Sequence, residues 1–310
     1  MNNYCAAIDF GTNTARLLIA ERSKAGIVPV RVVREVVRLG GGFTDEYGLS
    51  VEARERGLAC LHRFSEIIST YGVRQVRASA TSAVRDAVNG RQFVDDVFRD
   101  TGVTLEVIDG DEEARLTLNG VLSGLDSESG ALVVLDVGGG STEFTVSLHG
   151  APVFIKSMPV GVVRLTEGFH TSFDMLERVR SVISQLEQDL SSAGILLPGD
   201  FELVGTAGTA TTIAAIKLEM DDYDYRKVNN FVVNRGDIAE IFQRLSSLTP
   251  RERLSVKGLE KGREDLIIAG LAIITSVMDR FGFDRLKVSD FGLLEGLALA
   301  GGDDTCEKPR

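Results

Sequence analysis

Two short stretches decide the fold of this chain: Ile8-Asp9-Phe10-Gly11-Thr12-Asn13-Thr14 and Leu135-Asp136-Val137-Gly138-Gly139-Gly140-Ser141. Both have the order apolar, Asp, apolar, Gly, two more residues, hydroxyl. Each lies between two predicted strands, so each is the tip of a predicted β-hairpin. Because one copy opens each half of the chain, the repeat predicts a duplicated α/β domain whose two tips face one cleft. The alternative is that Asp-x-Gly merely ends two unrelated strands.

The polar, Gly- and Ser-rich stretch at 124–130 is the best candidate for the boundary between the two halves. It predicts one domain at 1–124 and a second at 125–310. The last predicted helix, 291–300, has the option of packing back on the first domain. Strand patterns flank both tips, and helical periodicity dominates the rest of the second half. The strands predicted beside the tips are 5–10, 16–20, 131–135 and 143–148, and the longest predicted helices are 51–71, 175–190 and 265–281.

The composition is that of a folded protein. The chain has 310 residues, of which 44% are hydrophobic and 25% charged, so disordered, collagen-like and disulfide-scaffold classes are excluded. Apolar runs such as 131–135 are far shorter than the ~20 residues of a membrane helix, and the first residues lack the pattern of a signal peptide. We therefore expect no membrane partner.

The net charge limits the classes of partner that the chain can bind, and the cysteine content indicates its cellular compartment. With 34 Lys and Arg against 45 Asp and Glu, the net charge is −11, which disfavours nucleic acid because phosphate backbones are held by clustered basic residues. A small or linear polyanion in a locally positive cleft stays compatible with this charge. The three cysteines, Cys5, Cys60 and Cys306, are odd in number and scattered, which favours a reducing compartment, and we expect a cytoplasmic protein.

Hairpin tips of this composition present backbone N–H groups with little side-chain obstruction. Glycine allows close approach, and N–H groups beside Ser or Thr hydroxyls form an anion site. Asp9 and Asp136, each at the end of a strand, would supply hard oxygen ligands for Mg²⁺ near bound phosphates, and Glu143 could face the same metal or a water. A third loop, 205–211, between a predicted strand and a predicted helix, also suits a phosphate, although a plain strand–helix turn explains it equally well.

The remaining candidates are an arginine and two acids. Arg85 follows a predicted strand and can pair bidentately with phosphate; the alternative is a surface ion pair with Asp86 or Asp95. Glu112 and Glu113 lie in the first turn of a predicted helix, where acids interact favourably with the helix dipole. One of the two could instead be a general base. Since neighbouring helix positions point ~100° apart, only one would face the cleft, and the pattern does not choose between them.

Four motifs then occur in order along the chain: Asp9-Phe-Gly-Thr-Asn-Thr, Ala80-Thr-Ser-Ala-Val-Arg-Asp-Ala-Val-Asn, Ile108-Asp-Gly-Asp-Glu-Glu-Ala-Arg-Leu and Asp136-Val-Gly-Gly-Gly-Ser-Thr-Glu. Together they resemble the exopolyphosphatase/guanosine pentaphosphate phosphatase (Ppx/GppA) family, and the stretches 205–209 and 289–296 fit as well. The resemblance covers nearly the whole chain. It implies the actin-like fold of the sugar kinase and heat-shock ATPase superfamily, with an interdomain cleft.

The resemblance also implies roles for individual residues. Glu113 would be the base that activates the attacking water, Arg85 would hold phosphate, and Asp136 and Glu143 would serve the Mg²⁺ and water network. Successive phosphates would be gripped by Gly11, Thr12, Asn13, Thr14, Gly138, Gly139, Gly140, Ser141, Thr142, Gly208 and Thr209. One departure is Leu294, where the family pattern has Arg. The chain resembles short members without a C-terminal helical extension, and a homodimer stays an open expectation.

The leading hypothesis is Mg²⁺-dependent hydrolysis of the terminal phosphate of inorganic polyphosphate. A second keeps the chemistry but makes guanosine pentaphosphate the substrate, and the sequence does not separate the two. A third is a phosphate or nucleotide sensor without turnover, which the retained Glu113, Glu143 and loop aspartates disfavour. A fourth, a sugar or small-acid kinase, is disfavoured by the motif set. Chain-length preference and the identity of the divalent metal are not predicted.

Overall fold

The computed structural model describes residues 3–23, 26–169, 171–197 and 199–300. These residues form two units: the first runs to Ser123 and resumes at Gly292, and the second is Gly124–Phe291. Each unit is built on one mixed β-sheet, so the predicted α/β organisation is present in both halves.

The first sheet has the spatial order β3-β2-β1-β4-β5. Its strands are β1 (Tyr4–Phe10), β2 (Thr14–Ser23), β3 (Gly26–Val36), β4 (Gln75–Ala80) and β5 (Leu105–Val107). The first three strands are antiparallel, whereas β4 runs parallel to β1 and β5 runs parallel to β4. A hairpin with a tight tip is thus followed by parallel strands whose carboxyl ends lie at the same edge as that tip.

Helices cover both faces of the first sheet. They are α1 (Val51–Thr70), α2 (Ser82–Arg85), α3 (Gly90–Thr101) and α4 (Gly110–Gly124), together with the last helix, α12 (Leu293–Ala300). One face packs Phe10 against Phe64 of α1 and Phe93 of α3. The opposite face packs β1 and β2 against Leu116 of α4 and Leu297 of α12. The alternation of buried side chains along β1 and β2 supplies both cores.

The second sheet has the spatial order β10-β11-β9-β6-β7-β8. Its strands are β6 (Ala131–Val137), β7 (Thr142–Leu148), β8 (Ala151–Met158), β9 (Glu202–Thr206), β10 (Val232–Asn234) and β11 (Arg285–Val288), and its helices are α5 (Val162–Gly168), α6 (Ser172–Ser192), α7 (Ala207–Lys217), α8 (Tyr225–Val228), α9 (Arg235–Ser246), α10 (Pro250–Arg253) and α11 (Ile267–Phe281). The apolar helix α11 packs on α6 and α9 and is buried along most of its length.

The two sheets repeat one topology. The order β3-β2-β1-β4 of the first sheet matches β8-β7-β6-β9 of the second, with an antiparallel hairpin at the centre and a parallel strand beside its first member. The duplication predicted from the two Asp-x-Gly stretches is therefore confirmed, and the alternative of two unrelated strand ends is wrong.

The end of the second unit differs from the expected domain bounds of 125–310. Residues 292–300 belong to the first unit, because α12 buries Leu293, Leu294 and Leu297 against the first sheet, which is the option that the sequence analysis names for the last helix. Residues 301–310 of the expected domain lie outside the described residues.

Two of the three cysteines are described, and Cys306 lies outside the described residues. Cys5 and Cys60 are buried and free. Burial, with the nearby Glu35 carboxylate, raises the pKa of Cys60 to about 12, so this thiol stays protonated. In the described part of the chain, no helix combines the length and the apolar character needed to cross a membrane.

Candidate active site

The first hairpin tip is closed on itself and held from one side. The N–H of Gly11 donates to the carbonyl of Thr14 at 3.1 Å. The segment 37–40 follows β3 and bonds the tip carbonyls, with Val37 and Arg38 donating to Asn13 at 3.0 and 2.9 Å and Gly40 donating to Thr12 at 2.8 Å. Arg38 reaches this position with a φ of 45°, a conformation that costs energy in a non-glycine residue and that recurs at functional sites.

The tip is also joined to the short helix that carries Arg85. The hydroxyls of Thr12 and Ser82 are hydrogen-bonded at 3.3 Å, and both residues are buried. Helix α2 begins directly after β4, whose carboxyl end lies beside that of β1. The structure therefore brings Gly11, Thr12, Asn13 and Thr14 to the same sheet edge as Arg85.

Asp9 pairs with an arginine within its own hairpin. Asp9 and Arg16 are register partners on β1 and β2, and Oδ2 of Asp9 accepts hydrogen bonds from Nε and Nη2 of Arg16 at 3.1 and 2.9 Å. The guanidinium already compensates the carboxylate that the sequence proposed for Mg²⁺. A metal role for Asp9 stays a prediction, and it would have to coexist with this ion pair.

Glu113 is the inner member of the acidic pair on α4. It is 8% exposed, and its Oε2 lies 3.3 Å from Nη1 of Arg85. Glu112 instead points outward and lies 3.5 Å from Nη2 of Arg77. Arg85 also donates to the carbonyl of Ile108 at 3.0 Å. The geometry thus selects Glu113 over Glu112 as the acid beside the candidate phosphate-binding arginine, a choice that the sequence pattern left open.

The alternative role of Arg85 is present as well. Its Nε lies 3.6 Å from Oδ1 of Asp86, so the guanidinium faces one carboxylate on each side. A group held between two carboxylates is kept in place before any ligand arrives, and it can exchange one of these partners for a phosphate.

Close glycine contacts fix the helix that carries Glu113. A methyl group on Gly120 of α4 would overlap the carbonyl of Gly292, and one on Gly296 of α12 would overlap the carbonyl of Leu116. The two helices can approach this closely only because both positions lack a Cβ. Leu294, the departure from the family's Arg, is buried in this same apolar cluster, so it contributes packing and no charge.

The second hairpin tip repeats the first, with a fuller set of contacts to its carbonyls. The N–H of Gly138 donates to the carbonyl of Ser141 at 3.0 Å. The start of α5 bonds three successive tip carbonyls. The bonds are Val162 N to Gly138 O at 3.0 Å, Val163 N and Arg164 N to Gly139 O at 2.8 and 3.2 Å, and Arg164 Nε to Gly140 O at 2.9 Å.

The N–H groups of this tip are available for a ligand. Within the described residues, the N–H groups of Gly139, Gly140 and Ser141 donate to no carbonyl or side chain. Ser141 and Thr142 are buried, and Thr142 Oγ1 donates to the carbonyl of Val160 at 2.6 Å. Successive unbonded N–H groups in a glycine turn form an anion-binding concavity.

Two carboxylates face each other beside this tip. Asp136 and Glu143 are register partners on β6 and β7 and are 8% and 2% exposed. Oε1 of Glu143 accepts a hydrogen bond from Ser157 Oγ at 2.7 Å. The first hairpin has Asp and Arg at the equivalent positions, so the charge pattern of the two tips differs although their backbones match.

This carboxylate pair fits a magnesium ion. Register partners have Cβ atoms about 4.5–5.5 Å apart, which lets two carboxylates approach one cation. No group of three or more His, Cys, Asp or Glu suited to a metal occurs among the described residues. Asp136 and Glu143 would supply two hard oxygens and leave the other positions around the ion to water and phosphate. That division is the one Mg²⁺ favours in phosphate sites.

The third loop lies beside Asp136 and carries a cation that sequence reasoning missed. Thr206, the last residue of β9, is the register partner of Asp136, and α7 then begins at Ala207 with a φ of 61°. The guanidinium of Arg263 lies directly on Gly208, where any side chain would overlap it. Arg263 is 8% exposed, and its Nε donates to Glu260 at 3.0 Å.

Arg263 therefore lies against the first turn of α7, whose leading N–H groups, including that of Thr209, have no intrahelical partner. Arg263 is far from the loop in sequence and belongs to no pattern that reveals the contact. The one available signal is Gly208 itself, which has an ordinary negative φ, so the space taken by the Arg263 guanidinium, and not the backbone conformation, favours glycine there.

The chain is similar to known proteins of one phosphatase family. A family model described as the Ppx/GppA phosphatase family matches residues 18–301. The chain is 34% identical to exopolyphosphatase 2 of Mycobacterium tuberculosis, over 95% of this chain and 97% of that protein. It is 26% identical to a guanosine-5'-triphosphate,3'-diphosphate pyrophosphatase of Aeromonas hydrophila, over 97% of this chain and 60% of that protein.

The chain spans only part of some relatives. It is 34% identical to a bifunctional 3-dehydroquinate synthase/phosphatase of Fusobacterium nucleatum over 97% of its own length, which is 47% of that protein. Among solved structures, an exopolyphosphatase from Cytophaga hutchinsonii superimposes with a TM-score of 0.85 at 27% identity, covering 94% of this chain and 96% of that one.

Proposed function

The chain belongs to the Ppx/GppA phosphatase family, and from that premise we propose that it hydrolyses the terminal phosphate of inorganic polyphosphate with the help of Mg²⁺. The observation that carries the proposal is the second tip. There, three successive N–H groups without a partner in the described residues adjoin the buried carboxylates Asp136 and Glu143. A phosphate and a hard divalent cation are the pair of ligands that such a site accepts together.

The first unit supplies the groups for proton transfer in this proposal. Glu113 takes a proton from the attacking water. Its Oε2 lies 3.3 Å from Nη1 of Arg85, which positions the carboxylate beside the group that would hold the phosphate. Arg85 holds a phosphate oxygen, and it can do so while its Nη1 stays on the carbonyl of Ile108. Hydrolysis of a phosphoanhydride depends on such positioning and charge neutralisation more than on covalent chemistry.

The second unit supplies the groups that bind charge. The N–H groups of Gly139, Gly140 and Ser141 stabilise the oxygens of the transferred phosphoryl group. Mg²⁺ held by Asp136 and Glu143 would neutralise charge on those oxygens. Arg263, together with the N–H groups at the start of α7, offers a place for a further phosphate of the chain, which suits a substrate that carries several charges.

Guanosine pentaphosphate is the second candidate substrate. It also ends in a chain of phosphates, and the name of the Aeromonas hydrophila relative favours it. The chemistry assigned to Glu113, Arg85 and the second tip would be the same. A sensor without turnover stays the third hypothesis, and it predicts phosphate binding that does not depend on Glu113 as a base.

We also propose that the protein is cytoplasmic and that it forms a homodimer. The location rests on the scattered cysteines, of which Cys5 and Cys60 are buried and free. Light scattering after size-exclusion chromatography tests the dimer directly.

A matched pair of variants tests the catalytic assignment. Glu113→Gln removes the base, whereas Glu112→Gln makes the same change on the neighbouring half-buried residue. We expect phosphate release from polyphosphate to fall about 100-fold or more in the first variant and to stay near wild type in the second. Equal activity of the two variants would remove Glu113 from the mechanism.

A further inference from the structure

The contacts of the second tip show how its N–H groups acquire their direction. The carbonyls of Gly138, Gly139 and Gly140 all bond to the start of α5. In a trans peptide the C=O of one residue and the N–H of the next point in opposite directions. Fixing these three carbonyls on one side therefore turns the N–H groups of the next residues, Gly139, Gly140 and Ser141, to the other side.

The last of these three peptides is held by a side chain. Backbone N–H groups of Val162 and Val163 bond the first two carbonyls, but the Gly140 carbonyl accepts from Nε of Arg164 at 2.9 Å. In the first tip, the matching contacts come from backbone N–H groups of Val37, Arg38 and Gly40. The direction of the Ser141 N–H thus depends on one side chain, which a point substitution can remove.

The backbone around Arg164 leaves little freedom for other arrangements. A methyl group on Gly161 would overlap the backbone of Gly139, so the start of α5 lies directly against the tip. The backbone of Arg164 is itself anchored, since its N–H donates to the carbonyl of Gly139 at 3.2 Å. Its side chain is exposed overall, so replacing it removes the contact with Gly140 without opening a cavity in the core.

We propose that Arg164 is a positioning residue for phosphate binding: by holding the Gly140 carbonyl, it aims the Ser141 N–H at the phosphate. The inference rests on the proposed function only in so far as the second tip binds phosphate. Arg164 acts through the peptide between Gly140 and Ser141. Its guanidinium bonds the carbonyl side of that peptide, opposite to the N–H that receives the anion.

The test uses three variants of the full chain. Arg164→Met keeps the length of the side chain and removes the donor. Arg164→Lys keeps a donor that can reach the carbonyl. Arg180→Met is the control, because Arg180 is an exposed arginine on α6 of the same unit, paired with Glu177 at 2.8 Å. The probe is inorganic phosphate, titrated by calorimetry and followed by the ¹⁵N–¹H signal of Ser141 in serine-labelled protein.

We expect Arg164→Met to bind phosphate about tenfold more weakly, the size expected for one hydrogen bond to an anion. The phosphate-induced shift of the Ser141 signal should be lost in this variant, partly restored in Arg164→Lys and unchanged in Arg180→Met. Melting temperatures of the two methionine variants should agree, which a merely structural role for Arg164 does not predict. An Arg164→Met protein that binds phosphate like the wild type, or that keeps the Ser141 shift, would overturn the proposal.

The outcome is separable from the proposed function. If the wild-type protein binds phosphate but releases none from polyphosphate, the proposed activity fails while the titration still decides the role of Arg164. If polyphosphate is hydrolysed and Arg164→Met behaves as wild type in both assays, only the inference about Arg164 fails.

Discussion

Asp136 and Glu143 are register partners across the second hairpin and are both nearly inaccessible to solvent. At the equivalent positions of the first hairpin, Asp9 is paired with Arg16. One copy of the duplicated tip therefore pairs its aspartate with an arginine, while the other places two carboxyl groups side by side. Two carboxyl groups in such a position suit a hard divalent cation, and we propose that Mg²⁺ binds at the second tip.

The first prediction concerns the metal. Mg²⁺ should raise the melting temperature of the wild-type protein, because a ligand that binds the folded state stabilises it. Glu143→Gln should abolish this rise, since one of the two hard oxygen ligands becomes a neutral amide. Thermal unfolding with and without Mg²⁺ measures the effect, and Asp9→Asn serves as the comparison. If Asp9→Asn abolished the rise and Glu143→Gln did not, the metal would belong to the first tip.

The second prediction concerns Arg85. Arg85→Ala should raise KM for polyphosphate by about tenfold or more, because a charge-assisted bond to phosphate is lost. Arg77→Ala is the control, since Arg77 contacts the outer acid Glu112 at 3.5 Å. Steady-state kinetics of the two variants measure the difference. An unchanged KM in Arg85→Ala would leave Arg85 with only its ion pairs to Asp86 and Glu113.

The third prediction concerns the contact between Gly208 and Arg263. Gly208→Ala should displace the guanidinium and lower kcat/KM for polyphosphate about tenfold, because the cation leaves the start of α7. Gly236→Ala is the matched control, since a methyl group there meets nothing within 4 Å and a helical Gly→Ala change is stabilising by up to about 1 kcal/mol. A Gly208→Ala enzyme with wild-type kinetics would show that Arg263 does not serve the substrate.

The fourth prediction concerns the close contact of α4 with α12. Gly120→Ala should lower the free energy of unfolding by about 1–3 kcal/mol, the usual cost of overpacking, because its methyl group overlaps the carbonyl of Gly292. Denaturant unfolding measures the loss, with Gly236→Ala again as the control. Unaltered stability of Gly120→Ala would mean that the two helices can separate without penalty.

Much of this architecture could be predicted from the sequence, for a physical reason. Both hairpins depend on local signals, namely apolar runs that end in Asp and a glycine turn, and local signals survive in a single sequence. The repeat of Ile8–Thr14 in Leu135–Ser141 then predicted the duplication, because two copies of a hairpin tip imply two copies of a sheet. The observed β1–β2 and β6–β7 hairpins confirm both steps.

The contacts that complete the site could not be predicted in this way. Arg164 and Arg263 reach glycine loops distant from them in sequence, and neither stands in a recognisable pattern. Helix α5 has only seven residues, which is too short to show periodicity. The choice between Glu112 and Glu113 required the direction of α4 relative to Arg85. The sequence offered the return of the last helix to the first domain only as an option, because the choice depends on which apolar face is uncovered. These are tertiary relationships, and local pattern does not contain them.

Phosphate release by the wild-type protein in the presence of Mg²⁺ tests the proposed hydrolysis most directly. Long-chain polyphosphate and guanosine pentaphosphate are compared at equal concentrations of terminal phosphate. Glu113→Gln and an excess of EDTA are the blanks. We expect faster release from polyphosphate, absent in both blanks. Faster release from guanosine pentaphosphate would keep the mechanism and change the substrate. No release from either compound by a protein that binds phosphate would rule out the proposed hydrolysis and leave a phosphate sensor as the explanation.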